Sequence, residues 1–111
     1  MGIRYWTGSH TKHRLTYHLI FIPKYRRRIL IGKIAKKIRS LMYEACEVNK
    51  WWIHEIEINR DHLHMMIQIK PTDKLAEVVR ILKGGSSKKL QEEMKELEEF
   101  VWGNKFWSDG Y

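Results

Sequence analysis

An α+β sandwich, one antiparallel sheet with two main helices on a single face, is the fold this sequence predicts. Three observations predict it. Segments rich in β-formers alternate with amphipathic helical segments, two of the β-rich segments flank a turn-forming triplet, and 111 residues make one domain of common size.

The stretch Arg14-Leu15-Thr16-Tyr17-His18-Leu19-Ile20-Phe21-Ile22 is rich in β-formers and halts at Pro23, so it is expected to be a strand. A basic turn, Lys24-Tyr25-Arg26-Arg27-Arg28, follows. From about Gly32 to Asn49, the residues Ile34, Ile38, Leu41, Met42, Ala45 and Val48 form one apolar helical stripe, with Lys33, Lys36, Lys37 and Arg39 outside it. Residues 51–58 alternate, Trp52, His54, Ile56 and Ile58 on one parity and Ile53, Glu55 and Glu57 on the other. Asn59-Arg60-Asp61 reads as a tight turn into a second strand from His62 to Ile69, the pair forming an antiparallel hairpin. Thr72 is expected to cap a second helix built on Leu75, Ala76, Val79 and Leu82, which Gly84-Gly85 should stop. Ser86 or Ser87 would cap another helical run to about Phe100, marked by Leu90, Met94 and Leu97. The aromatic segment 101–111 reads as the start of a fourth strand, and residues 1–14 as a polar arm. This order is that of the ferredoxin-like sandwich with a four-stranded antiparallel sheet, one face covered by helices and the other open. That fold hosts unrelated functions, so function must be read from side chains.

Charge narrows the choice. Lys and Arg number 21 against 13 Asp and Glu, a net +8. Residues 1–50 carry 12 basic and 2 acidic groups, whereas residues 51–111 carry 9 and 11. So positive a pole fits a polyanionic partner, nucleic acid before an anionic membrane surface. A single cysteine, Cys46, excludes an intramolecular disulfide framework and a Cys-rich zinc finger, and it reads as a core residue. No apolar run is long enough to span a bilayer and no signal-peptide pattern opens the chain, so the expected location is the cytoplasm.

The sharpest local signal is Asp61-His62-Leu63-His64-Met65-Met66-Ile67-Gln68-Ile69. Alternate strand residues share a face. His62, His64, Met66 and Gln68 therefore face one way, while Leu63, Met65, Ile67 and Ile69 complete an apolar row toward the helices. Two imidazoles at this spacing can donate to one divalent metal, but a site wants at least a third ligand. Glu55 and Glu57 are candidates whose parity depends on the register. Polar-face histidines without a special role, or general acid–base use, remain open from spacing alone. His10, His13 and His54 read more simply as solvent or sheet residues, and His18 as a hydrogen-bonded sheet residue or one facing the same open surface.

Two further segments suit phosphate. Lys24, Arg26, Arg27 and Arg28 cluster at a strand-to-helix turn, with Tyr25 able to stack on an exposed base. In Lys83-Gly84-Gly85-Ser86-Ser87-Lys88-Lys89, glycines would let a backbone approach, serine hydroxyls and helix-start amides would receive a phosphate, and lysines would add charge. A P-loop and a nucleophile elbow are both absent from the sequence.

Taken in order, several pieces resemble the single-tyrosine HUH transposases, the small transposases of the simplest insertion sequences. They are residues 17–21 with Pro23-Lys24-Tyr25-Arg26-Arg27-Arg28, Asp61-His62-Leu63-His64, Ile81-Leu82-Lys83-Gly84-Gly85-Ser86-Ser87, and Phe106-Trp107-Ser108-Asp109-Gly110-Tyr111. The resemblance runs from about residue 12 to the end. It implies a homodimer, a divalent metal (Mg2+ or Mn2+) on His62 and His64, and single-stranded hairpin DNA as substrate. A tyrosine would attack a phosphodiester, forming a 5′-phosphotyrosine and freeing a 3′-OH. The family carries that tyrosine on a helix beyond the segment matching residues 106–111, with a glutamine nearby as third ligand. Tyr17, Tyr25, Tyr43 and Tyr111 match other positions. The 111 residues alone are thus expected to bind hairpin DNA, to hold metal weakly, and to lack the family's cleavage route. The alternative is a non-catalytic nucleic-acid-binding module of ferredoxin-like fold, although the aromatic platforms of RNA-recognition domains are missing from the strands. A metal-binding regulatory domain would leave the basic pole unexplained.

Overall fold

The structure is a computed structural model that describes residues 15–99 and 105–111; the predicted N-terminal arm with His10 and His13 lies outside them. Its elements are β1 (Leu15–Phe21), α1 (Gly32–Asn49), β2 (Trp52–Asn59), β3 (His62–Ile69) and α2 (Leu75–Glu93), with short 3-10 turns at Lys24–Arg26 and Lys95–Glu99. The sheet has the order β1-β3-β2, both pairings antiparallel, so the histidine strand is central.

The β3 alternation sorts the faces as expected. Leu63, Met65, Ile67 and Ile69 are fully buried in a core shared with Leu19 and Phe21 of β1 and Ile38, Met42, Val79 and Leu82 of the helices. On β2 the register shifts between Ile53 and Glu55. This bulge at His54 resolves the awkward parity of the strand. Ile53, Ile56 and Ile58 oppose Ile67, Met65 and Leu63, while Glu55 and Glu57 oppose Met66 and His64 on the other face.

Helix α1 buries Ile38, Leu41, Met42 and Cys46. Val48, assigned by its spacing to the same stripe, is instead 78% exposed. The helix closes in a Schellman motif: Trp51 N–H donates to Cys46 O (2.8 Å) and Lys50 N–H to Glu47 O (3.3 Å), with Lys50 left-handed at φ 63°. Burial pushes the Cys46 thiol up to about 12, so it stays protonated and unreactive at neutral pH.

Helix α2 departs from expectation at both ends. Lys74, not Thr72, occupies the N-cap, and Asp73 receives Trp51 Nε1–H (2.9 Å) and Lys70 N–H (3.0 Å) instead of capping the helix. Nor do Gly84 and Gly85 stop it. The helix runs through them to Glu93 because its inward row continues as Val79, Leu82, Ser86 and Leu90. Burying that row outweighs the ~1 kcal/mol per glycine relative to alanine. A Cβ on either glycine would meet nothing within 4 Å. Gly84→Ala and Gly85→Ala are therefore each expected to raise stability by about 0.5–1 kcal/mol, measurable as a higher urea midpoint at unchanged m.

Of the expected fourth strand, the described residues show one antiparallel bridge, between Pro23 and Trp107. Lys24 N–H donates to Phe106 O (2.8 Å) and Ser108 N–H to Ile22 O (2.7 Å), which lays the segment against the chain just past β1. Phe106 and Trp107 are buried and meet edge to face, with ring centroids 4.8 Å apart. Among the described helices none is long and apolar enough to cross a membrane.

Candidate functional site

Antiparallel pairing decides what surrounds the histidines. Phe21 at the end of β1 pairs with Leu63 near the start of β3, so the basic loop after Pro23 emerges beside His62 and His64. Both histidines lie on the open face, half-buried, as parity required.

His62 is held from both sides. Its Nδ1 lies 3.0 Å from Asp61 Oδ1, and Asn59 Nδ2 donates to its Nε2 at 3.1 Å. A carboxylate only accepts, so the ring proton sits on Nδ1 and the lone pair on Nε2. Asp61 Oδ2 in turn receives Arg26 Nε–H at 3.0 Å. The hydrogen bonds from His62 and then Arg26 hold the Asp61 carboxyl below the usual carboxylate range.

His64 has a neighbour that the sequence reading gave no role. His18, one pair along β1, stacks on it with centroids 5.5 Å apart, His18 Nδ1 lying 3.4 Å from His64 Nε2. His18 alternates with Ile20, and Ile20 pairs directly with His64, so the pairing brings both rings to one face. His54 leaves the strand pairing at the bulge and bonds Gln68 Oε1 at 2.9 Å.

The two histidines fit the donor chemistry of a divalent site, with imidazole nitrogens from one strand face and a carboxylate fixing one of the rings. They are two donors only. The bulge does place Glu55 and Glu57 on their face, yet among the described residues no three His, Cys, Asp or Glu are positioned to hold one ion.

The basic loop is exposed and shaped by strain. Tyr25 (φ 64°) and Arg26 (φ 52°) are both left-handed, a region non-glycine residues rarely enter. Arg26 N–H closes the turn on Pro23 O at 2.7 Å. The Tyr25 ring is 66% exposed and flanked by cations, Lys24 Nζ at 5.5 Å and Arg27 Cζ at 5.7 Å from its centroid. Arg26 and Arg28 are exposed. Elsewhere the N-terminal charge excess is partly spent: Lys37 pairs with Glu93 and Lys33 with Glu96.

The glycine-serine segment is built differently from expectation. Within a continuous helix it offers no fresh helix start. Ser86 and Ser87 are each 5% exposed and serve the terminal segment: Trp107 Nε1–H donates to Ser86 Oγ (2.9 Å) and Phe106 N–H to Ser87 Oγ (3.2 Å). Lys83 Nζ donates to the Ser108 and Gly110 carbonyls, both at 2.6 Å, and burial lowers its pKa. Lys88 and Lys89 remain exposed. Residues 106–108 thus join α2 to the basic loop.

The family model described as "Transposase IS200 like" matches residues 11–111. The chain is 34% identical over 103 residues to the transposase for insertion sequence element IS200 of Salmonella typhimurium, covering 93% of this chain and 68% of that one. It is 28% identical over 99 residues to the ISDra2 transposase TnpA of Deinococcus radiodurans, covering 89% and 71%. In fold it is similar to a crystal structure from Deinococcus radiodurans described as a transposase (TM-score 0.81, 24% identity, 99% of this chain and 80% of that one). It is also similar to a REP-associated tyrosine transposase bound to a REP hairpin (TM-score 0.63, 13% identity, 99% and 58%). The chain belongs to the IS200-like family of single-tyrosine HUH transposases.

Proposed function

We propose that this chain is the metal- and DNA-binding part of a cytoplasmic, homodimeric transposase that cuts and rejoins single-stranded DNA at hairpin-bearing element ends. The observation that carries the reading is the meeting of His62 and the exposed basic loop through Asp61 and Arg26. A phosphodiester lying along Lys24, Arg26, Arg27 and Arg28 would pass the open face where His62 and His64 stand. Those two residues would hold Mg2+ or Mn2+, which supplies Lewis-acid stabilisation of charge on the scissile phosphate. A tyrosine beyond residue 111 would be the nucleophile, and a donor from that region would complete the ligand set.

The parts of the chain divide the work. Arg28 and its neighbours bind phosphate, and the exposed Tyr25, with Lys24 and Arg27 beside its ring, offers that ring to an unpaired base. Lys88 and Lys89 are further phosphate contacts in this reading. Lys83, Ser86 and Ser87 act indirectly, by holding residues 106–110 against the basic loop.

The test is a denaturing-gel assay for a protein–DNA adduct on labelled single strands carrying a hairpin, with Mn2+. The 111-residue chain should bind the DNA without forming an adduct; with the tyrosine-bearing helix present past residue 111, an adduct on the 5′ side of the break should form. An adduct on Tyr25 or Tyr111 would overturn the assignment of the nucleophile. Arg28→Ala should weaken binding to all hairpin sequences alike and reduce the slope of log K against log salt by about 0.7–1. Fluorescence anisotropy across a salt series checks this. An unchanged slope would make Arg28 a solvated charge.

A further inference from the structure

We infer that Asp61 and Arg26 are positioning residues for His62, the carboxylate fixing which ring nitrogen bears the proton and the guanidinium fixing the carboxylate. The inference rests on the reading of His62 as a metal donor and goes beyond it, because it gives a role to Asp61, which touches neither metal nor phosphate, and a second role to Arg26 beside its place in the phosphate-binding loop.

The geometry divides Asp61 evenly. Oδ1 faces His62 Nδ1 at 3.0 Å, and Oδ2 faces Arg26 Nε at 3.0 Å. Asp61 sits in the tight turn directly before His62, so its own backbone brings it within reach of the ring. Arg26 comes from 35 residues away. It arrives through two consecutive left-handed residues, Tyr25 and Arg26, a strained conformation that non-glycine residues rarely adopt. The loop is held in that shape at both ends: Lys24 N–H is bonded to Phe106 O, and Leu30 N–H to Arg60 O (3.0 Å) in the turn that bears Asp61. A solvent-exposed ion pair alone contributes little and would not explain so constrained an approach. Orientation of the histidine does. With Nδ1 protonated, Nε2 presents its lone pair to the open face, where the Asn59 amide now donates to it and a cation would replace that amide.

Asp61→Asn tests this sharply. Arg26 cannot give up its proton, and an asparagine has one acceptor where the site presents two donors. The guanidinium takes the carboxamide oxygen, the NH2 group turns to His62, and the imidazole proton moves to Nε2. Long-range 1H–15N NMR of the histidines should report that tautomer change, and Mn2+ affinity, measured by EPR titration, should fall about 10–100-fold with thermal stability nearly unchanged. In the double variant Asp61→Asn/Arg26→Ala the carboxamide oxygen is released to His62, so the original tautomer and most of the Mn2+ affinity should return. An unchanged tautomer with Mn2+ affinity within twofold of the parent would overturn the role of Asp61, and failure of the double variant to recover would overturn that of Arg26. His62→Ala separates the two readings. If it binds Mn2+ as the parent does, the metal site itself is wrong; if it loses Mn2+ while Asp61→Asn does not, only the positioning inference fails.

Discussion

Met65→Asp should abolish cooperative folding. Met65 is fully buried at the middle of β3, the central strand, paired with Leu19 on one side and Ile56 on the other, both buried. Among the described residues no basic side chain is buried in that core, so a carboxylate placed there would be desolvated without a partner. The change forfeits about 1.5–3 kcal/mol of apolar burial and adds a penalty of several kcal/mol for the buried polar or charged group. A domain of this size has on the order of 5–15 kcal/mol in total. The neighbouring residue supplies the control. Met66 points to the open face, opposite Glu55 and His18, so Met66→Asp should cost about 1–2 kcal/mol and keep a cooperative transition. Circular dichroism melts of the two variants check the contrast. Equal behaviour would mean that the faces of β3 are misassigned.

Which parts of the molecule were legible in the sequence follows from how far each signal reaches along the chain. The alternation of β3 is a local period of two, and it located the core row and the histidine face together. The two-residue turn before His62 was equally local. The bulge at His54 was not: it breaks the period of β2, and only pairing with β3 shows that Ile53 and Ile56 belong to one face. Gly84-Gly85 misled because local propensity favours a break, whereas the helix is sustained by burial of Leu82 and Leu90 on either side. Ser86 and Ser87 look like phosphate-binding hydroxyls until Phe106 and Trp107 fold back onto them. The histidine pair was legible, but its surroundings were not. Arg26 reaches Asp61, and His18 reaches His64, only through the antiparallel pairing that sets the end of β1 beside the start of β3.

His64→Ala, in the chain carrying the tyrosine-bearing helix, should reduce strand cleavage about a thousandfold or more while hairpin affinity changes less than threefold. The split follows from where each group acts. Groups that bind substrate and transition state alike set affinity; groups that meet charge only as it develops set the rate. The basic loop belongs to the first kind, since Arg26 and Arg28 are exposed and a phosphate carries its charge before and after reaction. In the proposed function His64 belongs to the second. It stands on the open face, paired with Ile20 of β1 and Glu57 of β2 and stacked on His18, none of them a lysine or arginine that would hold DNA. Losing about 4 kcal/mol of Lewis-acid stabilisation corresponds to roughly a thousandfold in rate. Removing the imidazole also leaves the fold in place, because it is half-buried on the solvent side of the sheet and its Nε2 meets another open-face histidine, His18. Single-turnover cleavage with Mn2+, beside anisotropy on the same hairpin, measures both quantities. The converse variant, Arg28→Ala, should lose affinity with a near-normal rate at saturating DNA. Cleavage by His64→Ala at the parent's rate would remove the histidines from the chemistry, and a parallel loss of hairpin binding would make His64 part of the substrate-holding surface instead.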